Sequence, residues 1–448
     1  MAAATITKPH VLFVPRSAQG HINPALAFAK RLASEGINVT FIITTKLSKS
    51  AKISDCSSIT IDYISDGSEE EVKEPKTIEA YYKRIKAVFS ANLAEFIQRQ
   101  KSTGSPAKLV IYDSTMPWVL DVAQEWGLLG APFFTQSGAV SSIFYHLKQG
   151  SLKFPYEDST VSLPALPTLQ INDLPSLSKF MDSNQTILKL LADQFLNLDR
   201  AVWVFINTFD MLEKEVVEWM ASRWPIKTVG PTFLLQQKYD KFSNQTISLF
   251  ELKLDSYKEW LDSKEAGSVI YVSFGSTASL GKEQMEELAF GLIKSNCYFF
   301  WVVRSSEMDK LPHNFNSEKG LIVEWCNQPE VLAHRALACF ISHCGWNSTL
   351  EALSYGVPLI AMAQWVDQNT NAKFIQDVWR VGVAIGVGEN GIIGREEIAM
   401  CIAQVVGGER SIELKRNACK FKKLANEAVE YGGTSANNIQ DFVSKLMS

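Results

Sequence analysis

Apolar residues along this chain come mostly in short unbroken runs. His10 to Pro15, Asn38 to Thr44, Ile59 to Ile64, Leu109 to Tyr112, Pro132 to Thr135 and Val202 to Ile206 are such runs, and helical stretches such as Lys76 to Gln100 and Asp210 to Ser222 fall between them. Strands apolar on both faces and interleaved with helices predict a parallel sheet covered on both sides. The opening residues predict a βαβ unit, with strand His10 to Pro15, helix Pro24 to Glu35 and strand Asn38 to Thr44. Asn23 reads as the N-cap, Pro24 as the first helical residue and Gly36 as a left-handed C-terminal cap.

The periodicity lapses from Phe233 to Leu254 and then restarts. Strands are predicted at Ser268 to Phe274, Tyr298 to Val303, Leu321 to Val323, Ala338 to Ser342 and Leu359 to Met362, again with helices between. The expected division is an N-terminal domain over 1–235, a linker over 236–255 and a second domain over 256–432. An amphipathic helix, Ala436 to Leu446, within 433–448 is expected to pack back on the first domain. A chain of 448 residues exceeds what one hydrophobic core sustains, which fits two domains. The fold class is α/β: two facing doubly wound, Rossmann-like domains with an interdomain cleft between the carboxyl ends of their sheets, where ligands bind in this architecture.

Composition narrows the function. Apolar residues at 46% and charged residues at 21% suit an ordinary globular enzyme. The 44 basic and 48 acidic residues give a net charge of -4, and no Lys/Arg block provides a local basic field, so nucleic acid is not an expected partner. No apolar run reaches the roughly 18 residues that span a bilayer, and Met1 to Lys8 lack the apolar core of a secretory leader. A cytoplasmic protein, without membrane insertion and monomeric, is the expectation. The seven cysteines are scattered without a Cys-x-x-Cys pair, which suits reduced thiols more than disulfides or zinc.

Two glycine-rich segments mislead. Gly386, Gly388 and Gly391 spell G-x-G-x-x-G, the mark of a nicotinamide oxidoreductase, but Ile392 and Ile393 follow where a helix should open, and Glu389-Asn390-Gly391 reads as a turn. Gly275 to Lys282 has one residue too many for a phosphate loop, and Glu283 stands where a Mg-binding hydroxyl is needed. Serine hydrolase and zinc-protease motifs do not occur.

More specific is the segment WCNQPEVLAHRALACFISHCGWNSTLEALSYGVPLIAMAQWVDQ, from Trp325 to Gln368. It closely resembles the signature of the plant secondary-product glucosyltransferases, the family 1 UDP-dependent glycosyltransferases of GT-B fold, and the resemblance extends over the whole chain through Gly20-His21 and the strand-end Asp113. The residues support it independently. A strand running into His343-Cys344-Gly345, with a helix opening near Trp346-Asn347-Ser348, makes an anion site from free N–H groups and the helix dipole. A diphosphate would fit there without a metal, and no Asp-x-Asp is present to hold one.

The resemblance implies a UDP-glucose donor site. Trp325 would stack on uracil beside Cys326, with Gln328 and Glu351 at the ribose. His343, Gly345, Asn347, Ser348 and Ser276 would hold the phosphates. Trp346, Asp367 and Gln368 would face the sugar, with Thr135 reaching it from the first domain. Gln368 at the end of the segment is the type that leans toward glucose. His21 and Asp113 both follow carboxyl ends of parallel strands and can converge although 92 positions apart. In the family pattern the matching His is the general base and the Asp holds its imidazole. His10, His146, His313 and His334 read as structural.

Direct attack opposite the departing UDP would invert the anomeric centre and give a β-glucoside. For an acceptor that is an already ionised carboxylic acid, His21 would matter less. Acceptor walls implied by the resemblance are Arg16, Tyr81, Tyr82, Met116, Phe144 and Trp365. Two positions depart from the family pattern: Arg16-Ser17 replaces a small or aromatic residue followed by proline, and Ala363 replaces a proline. The phrase Tyr112 to Trp118 resembles enzymes acting on salicylate-like acids, thiohydroximates, triterpenoids or steroids. The expected function is inverting glucosyl transfer to a hydroxyl or carboxyl of a steroid, triterpenoid, flavonoid or phenolic acid. The rival is a non-catalytic protein binding a small lipophile or nucleotide sugar.

Overall fold

A computed structural model describes residues 8–53, 58–68, 77–176, 184–239, 247–248, 256–313, 315–386, 388 and 391–448. The chain forms two units: Met1–Thr168, Leu177–Leu249 and Glu427–Ser448 make the first, and Leu169–Ser176 with Phe250–Asn426 the second.

The first unit is a seven-stranded parallel sheet of β1 (His10–Val14), β2 (Asn38–Thr44), β3 (Thr60–Ile64), β4 (Ala107–Asp113), β5 (Leu129–Phe134), β6 (Val204–Ile206) and β7 (Ile226–Thr228), in the order β7-β6-β5-β4-β1-β2-β3. Every residue of β1 is buried and the face of β4 carrying Val110 and Tyr112 packs under helical Phe89, Leu93 and Val119, as unbroken apolar strands between helices require. The second unit repeats the plan with β8 (Val269–Ser273), β9 (Tyr298–Val302), β10 (Gly320–Val323), β11 (Leu337–Ser342), β12 (Leu359–Ala361) and β13 (Gly382–Ala384), in the order β10-β9-β8-β11-β12-β13. In each sheet the order runs outward in both directions from its first strand. That reversal is the switch point at which such sheets bind ligands, between β1 and β4 in the first unit and between β8 and β11 in the second.

Four sequence expectations change. The first helix, α1 (Gln19–Ser34), starts five residues before Pro24, because the amides of His21 and Ile22 both bond the Ala18 carbonyl at 2.9 Å. Asn23 is therefore inside the helix, accepting from the Gln19 side chain, and does not cap it. Gly36 does take the left-handed conformation, at φ +87°. The supposed linker begins with a helix, Thr232–Tyr239, whose first amide bonds the Asn207 side chain at 3.1 Å and whose Leu234 and Leu235 are buried. Ile247–Ser248 is a short strand, and the rest of 236–255 lies outside the described residues.

Leu169–Ser176, expected in the first domain, belongs to the second unit: Ser176 bridges Val366, and Asp173 pairs with Lys373 at 3.3 Å. The C-terminal helix Thr434–Met447 lies on the first unit. It buries Ala436, Ile439, Phe442, Val443 and Leu446 on one face, sets Phe442 edge-on to Trp203 and Phe205, and bonds the Gly230 carbonyl through Ser435 at 2.6 Å. The Gly391 amide donates to the Gly388 carbonyl at 2.9 Å, Glu389 and Asn390 of the expected turn lie outside the described residues, and the next helix opens only at Arg395.

Candidate active site

At the switch point of the first unit, β1 leads into α1, whose third residue is His21, and β4 ends on Asp113. Parallel pairing of Val14 with Tyr112 brings the two strand ends side by side. His21 Nδ1 lies 2.6 Å from Asp113 Oδ2, with the imidazole 25% exposed and the carboxylate 2%. The other Asp113 oxygen accepts from the Thr115 amide at 3.0 Å and hydroxyl at 2.5 Å. Burial alone would raise the Asp113 pKa, but the facing His21 and the hydrogen bonds from His21 and Thr115 outweigh it and hold the carboxyl below its ordinary value. A fixed anion on Nδ1 sets the tautomer and leaves Nε2 as the nitrogen able to take a proton from a hydroxyl.

Thr135 belongs to this cluster. Its hydroxyl is 3.0 Å from His21 Nδ1. Among the expected acceptor walls, Arg16 Nη2 donates to Tyr82 OH at 2.6 Å, and Tyr81 stands edge-on to Tyr82 at 5.6 Å. Met116 is half-buried against the helical side of β4. Phe144, on the buried face of the helix Gly138–Gln149, is 1% exposed and offers no open ring face, so it is core. Trp365 lies in the second unit, its amide bonding Gln368 Oε1 at 3.2 Å. The helices concerned are α2 (Ile78–Lys101), carrying the two tyrosines, and α3 (Gly138–Gln149).

In the second unit, His343 follows β11 directly and is wedged between two glycines. A Cβ at Gly275 would come 2.8 Å from the imidazole, and one at Gly345 would come 2.5 Å from it. Burial pushes the His343 pKa down to about 4, so the ring is neutral at pH 7 and can donate to or accept from an anion's surroundings without carrying charge. Cys344 turns the chain at φ +64°, its amide bonding Ser342 Oγ at 3.1 Å. Helix α4 (Lys282–Lys294) follows the Gly275 loop, and helix α5 (Trp346–Tyr355) opens after Gly345, with Asn347 and Ser348 in its first turn. The exposed amides and dipole at that end suit a phosphate. Trp346 is 4% exposed and packs against Trp379.

Gln328 is committed on every side: Tyr271 OH donates to its Oε1 at 3.1 Å, and its Nε2 donates to Ser348 Oγ at 2.8 Å and Glu351 Oε2 at 2.7 Å. It positions Glu351, whose pKa burial raises to about 7 against the pull of that bond. Trp325 is half-buried in the loop after β10, and burial lifts the Cys326 thiol to about 12, so it is no nucleophile. Asn371 ties Asp367 to the turn, donating to Asp367 Oδ2 at 2.8 Å and to the Cys344 carbonyl at 2.9 Å. Gln368 Oε1 accepts the amides of Gln364 and Trp365, which leaves its NH2 for a ligand. These last two residues open helix α6 (Gln368–Lys373), with Asp367 at the cap position.

Sequence reasoning missed Tyr271, Asn371 and Arg304. Arg304 donates to the Ala278 carbonyl at 2.5 Å and the Gly275 carbonyl at 3.4 Å, clamping the loop that carries Ser276. Its place just after β9 was the only signal available. His10, His146 and His334 are held by Ser105 and Thr40, by Ser151 and by Asp262 respectively, as structural residues are. Among the described residues no group of three His, Cys, Asp or Glu is placed to hold a metal, and no helix is long and apolar enough to cross a membrane.

Comparison with known proteins covers both units. A family model described as UDP-glucoronosyl and UDP-glucosyl transferase matches residues 208–424, and one for the glycosyltransferase family 28 N-terminal domain matches 18–112. UDP glycosyltransferase 9 of Catharanthus roseus is 50% identical, the match covering 99% of this chain and 98% of that protein. Mogroside I-E synthase of Siraitia grosvenorii is 46% identical over 98% of each. The crystal structure of Os79 from O. sativa in complex with UDP superposes with a TM-score of 0.89 at 33% identity, covering 97% of this chain and 100% of that one.

Proposed function

The chain belongs to the family of UDP-glucoronosyl and UDP-glucosyl transferases and is an enzyme that moves a glycosyl group from a UDP-sugar to a small acceptor; from that premise we propose that the sugar is glucose and that transfer inverts the anomeric centre. The acceptor is a small lipophilic molecule bearing a hydroxyl or carboxyl, of the steroid, triterpenoid, flavonoid or phenolic-acid kind. The observation that carries the mechanism is the partly exposed His21 imidazole fixed through Nδ1 to a buried, ionised Asp113 at 2.6 Å.

In the proposed step the acceptor oxygen bonds to the anomeric carbon as the bond from that carbon to the UDP oxygen breaks, its electron pair leaving with UDP. The acceptor proton passes to His21 Nε2, and Asp113 stabilises the imidazolium. Trp325 would stack on the base, and Glu351, held by Gln328, would accept from the ribose hydroxyls. Ser276, neutral His343, Asn347, Ser348 and the start of α5 would meet the diphosphate charge, so the scheme needs no bound metal. Asp367 and the Gln368 amide would grip the glucose. We place this reaction in the cytoplasm.

The test is UDP release and product mass with UDP-glucose, in EDTA, across a panel of those four acceptor classes, with His21→Ala in parallel. A product heavier by one hexose, formed in EDTA and lost in His21→Ala, is expected. Hexose transfer that survives in His21→Ala with a neutral hydroxyl acceptor would overturn the assignment of the base, and binding of UDP-glucose without transfer to any acceptor would favour the binding-protein reading.

A further inference from the structure

We propose that the pocket beside His21 selects an acidic acceptor: Arg16 and Tyr82 hold its carboxylate while a separate hydroxyl of the same molecule meets His21 Nε2. This rests on the transferase reading above and names the substrate class of that site.

Arg16 stands between the end of β1 and the start of α1, in the short connection that also delivers His21. Its guanidinium is part-buried and, among the described residues, donates one hydrogen bond, to the phenol oxygen of Tyr82 at 2.6 Å, with the cation 5.7 Å from that ring's centre. Tyr82 OH accepts in this contact, so its own proton is available to a second oxygen. A guanidinium fork and a phenol O–H side by side make a cradle for two carboxylate oxygens.

No carboxylate among the described residues lies within ion-pair distance of Arg16. The positive charge is felt at Asp113 and at Tyr81, which locates it at the catalytic corner, yet Asp113 is committed to His21 and Thr115. Asp66, felt at Tyr81, spends Oδ1 on the Ser68 amide and hydroxyl. Seating a wholly neutral lipophile here would strip water from a cation that has no ion-pair partner among the described residues, which is costly, whereas a carboxylate would pair with it. The Tyr81 and Tyr82 rings supply apolar flanks for the body of such an acid. The hydroxyl, not the carboxylate, is glycosylated: its oxygen bonds to the anomeric carbon, its proton goes to His21, and UDP leaves with the electron pair.

The experiment compares 4-hydroxybenzoate, 4-hydroxyphenylacetate and 3-(4-hydroxyphenyl)propanoate with their methyl esters, using UDP-glucose at neutral pH, in wild type, Arg16→Met, Arg16→Lys and Tyr82→Phe. Alkali-stable phenolic glucosides are expected, with at least one acid preferred over its ester through KM. In Arg16→Met the acid-to-ester ratio of kcat/KM should fall by roughly tenfold or more, the loss expected for one charge-assisted contact; Arg16→Lys should restore part of it, and Tyr82→Phe should lower it less. Equal use of acid and ester by the wild type, or equal losses for both in Arg16→Met, would overturn the proposal. So would transfer to none of the six by an enzyme that glucosylates other acceptors, which leaves the transferase reading intact; transfer to no acceptor of any class overturns both. Should Arg16→Met not fold, judged by melting and UDP binding, the wild-type ratio decides alone.

Discussion

Asp113 contributes to catalysis through charge as well as position, and the two can be separated. Asparagine at 113 keeps the shape and a hydrogen bond to Nδ1 but removes the anion that stabilises the imidazolium. We expect Asp113→Asn to lower kcat for a phenol acceptor by roughly 10²-fold or more, the scale of general-base assistance, with the KM for UDP-glucose little altered. An acceptor attacked through an already ionised carboxyl needs no proton removed, so its kcat should fall far less in the same variant; equal losses would mean that Asp113 acts on structure alone. His21 and Asp113 were legible in the sequence because each follows an unbroken apolar run, and parallel strands deliver their carboxyl ends to one edge. The Thr135 contact with Nδ1 and the Arg16 contact with Tyr82 were not legible, because which side chains meet depends on packing that no local pattern encodes. Phe144 was misjudged for the same reason: an aromatic in a pocket wall and an aromatic in a core look alike until exposure is known.

At the scale of elements, the donor site depends on two tight connections, β8 to α4 through Gly275 and β11 to α5 through His343 and Gly345. Gly275 is needed twice over, for φ +67° and for the imidazole 2.8 Å from where its Cβ would be. Arg304 fastens the first connection by two backbone carbonyls. Arg304→Met should therefore raise the KM for UDP-glucose several-fold while changing kcat at saturating donor much less, with partial rescue by Arg304→Lys. A fall in kcat alone would show that the loop serves chemistry instead of donor binding. The sequence marked these strands and helices to within a few residues. It misplaced the start of α1, since Asn-Pro is a strong local signal for a first turn and here the turn forms earlier on Ala18. It missed Thr232–Tyr239 because two helical turns are too few to establish a period, and it missed the short strands β7 and β13.

For the whole molecule, alternation of strands and helices foretold two parallel α/β units, while the strand orders came only from pairings between distant segments such as β8 with β11. One consequence of folding the second unit concerns its stability as pH changes. His343, ordinarily at 6.5, is held at about 4, so between those values the unfolded chain binds the extra proton and stability rises with pH. Glu351, ordinarily at 4.5, is raised to about 7, so in that window the folded chain binds the extra proton and stability falls with pH. From 4.5 to 6.5 the two slopes oppose each other and largely cancel. Removing one exposes the other. Without ligand, the melting temperature of Glu351→Gln should climb more steeply than that of wild type as pH rises through this window, and that of His343→Gln should climb less steeply or fall. Glutamine at either place also shifts packing, but a packing loss displaces the whole curve by a similar amount at every pH, so the slopes and not the heights carry the result. Curves for both variants parallel to wild type would mean that neither buried group is held away from its ordinary pKa, and the neutral imidazole offered to the diphosphate would have to be given up.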